Sequence, residues 1–384
     1  MFMMEKALKG SRRYWIWLSC VTCFIAVGLC FYLRQLDQGL GITGLSRDVS
    51  WGLYIAQFTF FVGVAASAVM LVLPYYLHDD MHFARITILG EFLAIAAVVM
   101  CILFIFVDLG QPARVLNIIR YPSPRSLMFW DMISLGGYLL LNVIIAFATL
   151  RAEREETRPP QWMKALALIS IPWAISIHTV TAFLYSGLAG RSFWLTAILA
   201  PRFLASAFSS GPALLILLCL ALRRLARYDA GEEAIRKLAV IMTYAMAINV
   251  FFVLVEVFTV FYAAIPEHAV HFEYLYLLGG AHTLAPWMWI SALCAIAALA
   301  ILLTPAWRSR WLPLGCVLVF GSLWLEKGLG LIVGGFEPSP LGEVTPYVPT
   351  LPEWSIVAGI WAVGVFLITM FFKITVSVRK EAEG

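Results

Sequence analysis

Long apolar runs, separated by shorter segments rich in charge, glycine and proline, dominate the chain. A helix needs about 20 apolar residues to cross roughly 30 Å of hydrocarbon, and the chain contains ten such runs. The predicted spans are 14–33, 51–77, 86–108, 127–150, 162–187, 203–223, 238–264, 283–304, 311–333 and 354–378. The pattern therefore predicts an all-α integral membrane protein with ten transmembrane helices, in which residues 1–384 form a single polytopic membrane domain.

The composition agrees with a membrane location. Of 384 residues, 62% are apolar and 13% are charged, and the mean hydropathy is +0.87. Soluble domains average about 45–50% apolar and about 25% charged residues. A soluble fold of this size has too little interior to bury so much apolar surface. The composition therefore excludes a secreted globular enzyme, a nucleic-acid-binding protein and a disordered scaffold.

The basic residues predict an orientation. If the N-terminus lies inside, 19 of the 27 lysines and arginines fall on the inner side, as the positive-inside rule requires. Both termini are then cytoplasmic, and the loops on the outer side are the longer ones. Long outer loops rich in glycine, proline and aromatic residues suggest a surface on which a partner docks.

Polar side chains at membrane depth are costly and indicate function by default. The outer halves of the predicted spans carry Gln57, Asp131, His178 and Glu256. Glu91 instead lies about 8 Å from the inner end of its span at 1.5 Å per residue. A polar group near the outer face and one acid near the inner face predict a chemical site with a proton inlet.

Several charged residues near span ends also have a purely structural explanation. Asp108 and Arg114 could satisfy helix ends and loop carbonyls. Arg125 could form an ion pair with Asp131. The sequence leaves these structural and functional readings open.

The deeper polar residues differ in how readily structure alone explains them. Glu326 and Lys327 could extend to the membrane interface, and His178 could make only a tertiary hydrogen bond. Glu91 and Glu256 are the hardest to explain, because an unpaired buried carboxylate costs several kcal/mol or stays protonated. We therefore predict Glu91, His178 and Glu256 as proton-path residues.

The sequence argues against a redox centre held by this chain. Bis-histidine haem needs two imidazoles at similar depth, but only His178 lies deep in a span, and His282 lies at the edge of the eighth. Cys20 and Cys23 form a C-x-x-C inside an apolar helix and are predicted to be packing residues. We predict no haem, iron–sulfur cluster or metal in this chain.

Three strings resemble the NrfD/PsrC family, the quinone-interacting membrane subunits of polysulfide reductase and its relatives. They are SWGLYIAQF at 50–58 with FVG at 61–63, DLGQP at 108–112 with Arg114, and SLMFWD at 126–131. Further strings resemble the DsrP branch, the integral membrane subunits of a complex linked to dissimilatory sulfite reduction. These are GEFLA at 90–94, HTVTAFLYSG at 178–187, APRFLASAF at 200–208, EKGLG at 326–330 and GFEPSP at 335–340.

The resemblance implies a fold of two four-helix bundles, spans 2–5 and 6–9, with a flanking helix at each end. It implies that menaquinone or menaquinol binds near the outer face as an exchangeable cofactor and exchanges electrons with a periplasmic ferredoxin-like iron–sulfur subunit (DsrO-like). A multihaem cytochrome c (DsrJ-like), a haem b membrane subunit (DsrM-like) and a cytoplasmic iron–sulfur subunit (DsrK-like) would complete the respiratory complex. Such a complex lies in the cytoplasmic membrane of a bacterium or archaeon.

The quinone-binding candidates share an outer-half position and hydrogen-bonding or aromatic character. They are Trp51, Tyr54, Gln57, Asp131, His178 and Glu256. The candidates for partner docking or structure are charged residues near the outer side. They are Asp108, Arg114, Arg120, Arg125, Arg202, Glu326 and Lys327.

One departure from the family pattern limits what the resemblance transfers. Some relatives carry a membrane histidine after the FVG string, where this chain has AAS at 65–67. A proton route through that histidine therefore does not transfer. An ion- or proton-coupled secondary transporter remains the alternative, although transporters often have broken helices and the glycine- and proline-rich strings here fall mostly at span ends.

Overall fold

A computed structural model describes residues 2–78, 80–155, 157, 160–277 and 284–382. In these residues all regular elements are helical, and ten helices are long and apolar enough to cross a membrane. We label them α1 Arg12–Gln38, α2 Leu53–Tyr75, α3 Ala84–Asp108, α4 Leu127–Arg154, α5 Gln161–Ser186, α6 Leu199–Leu225, α7 Glu232–Tyr262, α8 Ala285–Leu303, α9 Pro305–Phe336 and α10 Leu351–Ala382. The predicted all-α fold with ten spans is confirmed.

Helix α2 lies at the centre of the molecule. Its first part, Leu53–Ala65, is apolar on nearly all sides and completely buried, as expected for a helix without a polar face. It packs against α3, α5, α6 and α9. Side chains that face α2 from these four helices therefore form the core of the membrane domain.

The remaining helices pack mostly as neighbours in sequence. Contacts join α3 to α4, α4 to α5, α6 to α7, α8 to α9, and α6 to α9. The two terminal helices α1 and α10 pack against each other, and α10 also contacts α3. The division into two four-helix bundles with flanking helices stays a prediction.

Glycine allows α1 and α10 to approach closely. A Cβ added at Gly28 would lie 2.7 Å from the Cα of Gly359, closer than real Cβ atoms come. Small residues at helix crossings are typical of membrane proteins, since they let two backbones pack directly. This crossing fixes the N-terminal helix to the C-terminal one.

Helices α2 and α9 depart from regular α-helix inside the membrane domain. A 3₁₀ turn lies in α2 at Ala66–Ala68, and a π segment at Leu73–Leu77 overlaps the end of α2. Another π segment, at Trp324–Gly330, lies in α9. The expectation that glycine-rich strings fall at span ends is wrong for the EKGLG string. This string lies inside α9, because α9 continues beyond it to Phe336. π segments inside α-helices often mark functional sites.

Ion pairs fix the helices at the side where α1 begins and α10 ends, which we call the inner side after the orientation predicted from the sequence. Arg379 of α10 donates to Glu153 of α4 at 2.5 Å and to the carbonyl oxygen of Arg85 at 2.6 Å. In the loop before α3, hydrogen bonds from Lys237 and His82 lower the pKa of Asp80 to about 2. The Lys237 Nζ to Asp80 Oδ2 distance is 2.5 Å. These contacts tie the inner ends of α3, α4, α7 and α10 together.

Candidate functional site

One face of α5 carries a row of buried polar side chains, and this row contacts both α2 and α4. His178, Thr181 and Tyr185 follow a helical spacing of three and four residues, so they share one face, and all three are completely buried. Tyr185 Oη lies 2.5 Å from Thr59 Oγ1 of α2. We call His178, Thr181, Tyr185 and the groups bonded to them the α5 polar face.

Asp131 of α4 belongs to the α5 polar face. Its Oδ1 accepts a hydrogen bond of 2.8 Å from Thr181 Oγ1, and the residue is 5% exposed. The suggested ion pair between Asp131 and Arg125 does not form between these two described residues. Arg125 is exposed in the outer loop, whereas Asp131 lies inside α4 and faces α5.

His178 is the least satisfied member of the α5 polar face. Neither Nδ1 nor Nε2 has a hydrogen-bond partner among the described residues. At 1.5 Å per residue, it lies about 12 Å from the outer end of α5. Buried polar side chains are nearly always hydrogen-bonded, so an unpartnered imidazole indicates a place for a ligand, a water or a transferred proton.

Gln57 lies on another side of α2. Trp324 Nε1 and Trp361 Nε1 each donate to Gln57 Oε1 at 3.0 Å. Two indole donors require the oxygen at this position, so the orientation of the amide is determined. Gln57 Nε2 is then directed away from both indoles and has no partner among the described residues.

The two aromatic quinone candidates lie near the outer end of α2. Trp51 packs against Tyr185, with 5.7 Å between ring centroids, and also contacts Trp194 and Phe336. Tyr54 instead donates to Gln35 Oε1 of α1 at 2.7 Å. Trp51 therefore forms an aromatic wall beside the α5 polar face, whereas Tyr54 ties α2 to α1.

Arg202, Glu256 and Glu326 form a second buried group, which we call the arginine cluster. Arg202 Nη1 donates to Glu256 Oε2 at 2.5 Å, and Nη2 donates to Glu326 Oε1. The three side chains are at most 9% exposed. Glu256 is therefore paired, not the unpaired acid that the sequence suggested. The burial of Arg202 and Glu326 favours the structural alternative for these two residues over partner docking. Arg202 is part of a membrane helix because α6 begins at Leu199, before the predicted start at residue 203.

Lys327 is also buried and does not extend to the interface. Its Nζ lies 4.3 Å above the ring of Phe203 and 3.4 Å from the carbonyl oxygen of that residue. The adjacent Glu326 belongs to the arginine cluster, while Lys327 lies beside Gly63 of α2 and Ser210 of α6. The π segment of α9 thus presents two neighbouring charges to two different sites.

Glu91 lies apart from all these groups. It is 1% exposed, and neither carboxyl oxygen has a partner among the described residues. At 1.5 Å per residue, it is about 10 Å from the inner end of α3. The structure therefore places Glu91 in the first half of α3, without a partner among the described residues. That this half faces the cytoplasm stays a prediction.

The outer loop between α3 and α4 carries the exposed arginines. Arg114, Arg120 and Arg125 are all exposed there, close to the exposed apolar side chains of Ile119 and Tyr121. Asp108 ends α3 beside this loop, and its Oδ1 is buried without a partner among the described residues. Within the predicted docking set, all of which the structure describes, only the three arginines lie on a surface.

The sequence profile of the family described as polysulphide reductase, NrfD, matches residues 41–332. This range covers about three quarters of the 384 residues and includes the α5 polar face and the arginine cluster. The chain belongs to the NrfD family.

Similar proteins match this NrfD chain over nearly its full length. The Hdr-like menaquinol oxidoreductase integral membrane subunit of Archaeoglobus fulgidus is 25% identical over 98% of this chain and 97% of its own. A selenate reductase subunit of Mesobacillus selenatarsenatis is 24% identical over 94% of each chain. The menaquinone reductase integral membrane subunit of Nitratidesulfovibrio vulgaris is 20% identical over 97% of this chain and 93% of its own.

Within the described ranges, no three His, Cys, Asp or Glu side chains are grouped so that they could hold a metal ion. His282 lies outside the described residues. The absence of haem, iron–sulfur clusters and metals stays a prediction.

Several residues of these sites were missed by the sequence reasoning. Gln35 was missed because the first span was predicted to end at residue 33, whereas α1 continues to Gln38. Ser210, Thr181 and Tyr185 are common residues in membrane helices and carry no signal alone. Their spacing relative to His178 is the one pattern in the sequence that could have found Thr181 and Tyr185.

Proposed function

We propose that this chain is the menaquinone-reactive membrane subunit of a respiratory oxidoreductase complex. It exchanges electrons between menaquinone or menaquinol in the bilayer and an iron–sulfur partner at the outer face. The names of two relatives support this proposal, since one is a menaquinol oxidoreductase subunit and another a menaquinone reductase subunit. The observation that carries it is the buried, unpartnered His178 on the α5 polar face.

The chemistry of the α5 polar face suits a quinone headgroup. Oxidation of a quinol releases two electrons and two protons, so the headgroup needs titratable and hydrogen-bonding partners inside an apolar slot. His178 has two nitrogens without a partner among the described residues for this role. The Asp131 carboxylate accepts a hydrogen bond from Thr181, one turn away on the same face of α5. Trp51 closes the outer end of the site with an aromatic surface.

Of the other quinone candidates, Gln57 keeps a secondary role in this proposal. Gln57 and Thr59 are two residues apart on α2, so they face opposite sides of the helix at 3.6 residues per turn. Gln57 Nε2 would therefore donate to a second headgroup position, apart from the α5 polar face. Tyr54 and Glu256 are already bonded, to Gln35 and Arg202, and hold helices together.

We further place the chain in the cytoplasmic membrane with both termini cytoplasmic. The DsrP resemblance supports a complex of sulfur metabolism with DsrO-, DsrJ-, DsrM- and DsrK-like partners. The iron–sulfur partner docks on the outer surface that carries Arg114, Arg120 and Arg125, since electrons must leave through a centre close to the quinone. Glu91 takes up protons from the inner side, which links quinone chemistry to proton translocation.

The proposal is tested by menaquinol oxidation in the purified complex. His178→Ala should lower the rate by about 100-fold, the size expected for loss of an acid–base group. His82→Ala is the matched control, because His82 is exposed on the inner side beside Asp80 and should leave the rate unchanged. An unaltered rate in His178→Ala would remove this residue from the site.

A second measurement separates this function from the transporter alternative. The chain should co-purify with haem c and iron–sulfur subunits, and it should catalyse no solute uptake when reconstituted alone in liposomes. Solute transport by the isolated chain, without redox partners, would overturn the proposed function.

A further inference from the structure

Four helices bring three polar side chains and one glycine to a similar depth at the centre of the molecule. Gly63 of α2, His178 of α5, Ser210 of α6 and Lys327 of α9 lie about 15, 12, 17 and 14 Å from the outer ends of their helices at 1.5 Å per residue. His178, Ser210 and Lys327 are each at most 3% exposed. We call these four residues the central junction.

Gly63 provides the space in which the polar atoms of the central junction meet. A Cβ added at Gly63 would lie 3.2 Å from both Lys327 Nζ and Ser210 Oγ. These two atoms are therefore separated by no more than twice 3.2 Å. One water can bridge such a gap, because two hydrogen bonds of about 2.8 Å span roughly 5–6 Å.

The groups of the central junction have few protein partners. Ser210 Oγ and both His178 nitrogens have none among the described residues. Lys327 Nζ has the ring and carbonyl oxygen of Phe203 beside it, and His178 lies on α5, which packs against the helix α6 that carries Ser210. Buried polar atoms in this state are the usual places for internal water.

The charged groups next to Lys327 belong to the arginine cluster. Glu326, its neighbour in the π segment of α9, accepts a hydrogen bond from Arg202 of α6. Arg202 already contacts Glu326 and Glu256, which leaves the arginine cluster with two acids and one base. The alternative role of Lys327 is to balance this excess negative charge without exchanging a proton. A test must separate these two roles.

We propose that Lys327 exchanges a proton with His178 through the Ser210 hydroxyl and internal water, which makes the central junction a proton relay for the quinone site. This inference rests on the proposed quinone chemistry. In the transfer, the Lys327 ammonium loses one proton and becomes an amine, while the His178 imidazole gains one and becomes an imidazolium. No electron moves, the net charge of the junction is unchanged, and the reverse transfer resets it.

Lysine is suited to this role in a way that arginine is not. A buried lysine can lose its proton, whereas an arginine stays charged in proteins. Lys327→Arg therefore keeps the positive charge near the arginine cluster but removes the exchange. Lys327→Met removes both.

The test measures menaquinol oxidation and its solvent isotope effect in the assembled complex. We expect both Lys327→Arg and Lys327→Met to slow oxidation by about tenfold or more. Ser210→Ala should slow it less and should raise the rate ratio between H₂O and D₂O, a readout that a merely structural hydroxyl would not move. Haem content of the purified complex reports whether each variant assembles.

The chain offers matched controls for both positions. Ser209→Ala removes the neighbouring hydroxyl, which donates to the Ala205 carbonyl oxygen at 2.9 Å within its own helix. Lys373→Arg changes another lysine that lies over an aromatic ring, 5.2 Å from the centroid of Tyr14. Both controls should keep the parental rate and isotope effect.

The outcomes distinguish the relay from the quinone site itself. A parental rate in Lys327→Arg, with loss only in Lys327→Met, would overturn the relay and leave Lys327 as a balancing charge. A parental rate in both Lys327 variants would also overturn it. If His178→Ala is impaired while Lys327→Arg is not, the relay fails and the proposed function stands; a parental His178→Ala removes the basis of both.

Discussion

The arginine cluster and the central junction lie in the same membrane domain and both contain buried ionisable groups, but their groups are partnered differently. Arg202 binds Glu256 and Glu326 directly. In the central junction, His178 and Ser210 keep polar atoms that have no partner among the described residues. The first arrangement pairs both carboxylates with one guanidinium and leaves Glu326 Oε2 as its one atom without a partner among the described residues. The second leaves an imidazole and a hydroxyl unpartnered, a structural cost that a ligand or proton can offset.

This difference predicts opposite responses to mutation. Removing one partner of a buried ion pair leaves an uncompensated charge and destabilises the fold. Removing an unsatisfied polar side chain relieves a penalty and should leave the fold intact or more stable. Mutations in the arginine cluster should therefore lower stability, whereas mutations in the central junction should lower activity without lowering stability.

The largest expected effect follows from breaking the arginine cluster. Arg202→Met leaves two buried carboxylates without their cation and should cost about 3–5 kcal/mol of stability. Thermal unfolding of the purified protein measures this loss. Arg34→Met, at the exposed end of α1 where Arg34 bonds Gln38, should change little.

A triple variant sharpens the same prediction. Arg202→Met with Glu256→Leu and Glu326→Leu removes the whole cluster, so it should recover much of the stability lost in Arg202→Met, because apolar replacements of a buried ionic group are often neutral. Wild-type stability in Arg202→Met alone would contradict the view that this cluster is structural.

The second effect concerns the imidazole of the central junction. His178→Leu replaces a side chain with two unsatisfied nitrogens and should keep or raise stability by about 1–2 kcal/mol, while quinol oxidation is lost. His271→Leu should instead lower stability. Its Nδ1 donates to the carbonyl oxygens of Gly334 and Glu337 at 2.8 and 2.9 Å, and these hydrogen bonds would be lost. Marked unfolding of His178→Leu would indicate a structural imidazole instead.

The third effect concerns the inner acid. Glu91→Gln keeps the shape of the side chain and should change stability by less than about 1 kcal/mol. We expect proton uptake from the inner side to fall, as measured with a pH-sensitive dye during quinol oxidation in proteoliposomes. Glu155→Gln, an exposed inner residue paired with Arg151, is the control. Undiminished uptake in Glu91→Gln would place the inlet elsewhere.

The smallest effect belongs to the exposed ion pair on the inner side. The Asp80 pKa is lowered to about 2 by hydrogen bonds to Lys237 and His82, so its contribution is present above the unfolded pKa of about 4 and is lost as the pH falls towards 2. Asp80→Asn should lower the unfolding temperature slightly at pH 7 and by less at pH 3. An equal decrease at both pH values would show that the carboxylate charge is not the cause.

The fold could be predicted from the sequence because the length of each apolar run is set by the thickness of the bilayer. Helix ends were less certain, since a charged residue ends an apolar run but not a helix. Arg202 and Gln35 are the examples: both lie inside helices because partners on neighbouring helices satisfy their polar groups.

The identities of the site residues were predictable, but their grouping was not. Gln57, Asp131, His178 and Glu256 all lie in the half of their helices that the sequence predicts to be outer, yet they fall into three separate groups. Which helix face meets which neighbour depends on packing, and the apolar sequence of α2 gives no preferred face. Lys327 illustrates the same limit, because it and Glu326 are neighbours in the π segment of α9 but contact different residues of α6.

The central claim is that menaquinone reacts at the α5 polar face. A photoreactive menaquinone analogue, cross-linked to the intact complex and mapped by mass spectrometry, tests this claim most directly. We predict labelling of α5 between residues 178 and 185 that excess menaquinone prevents. Labelling confined to other helices, or labelling of α5 that menaquinone does not prevent, would contradict the account.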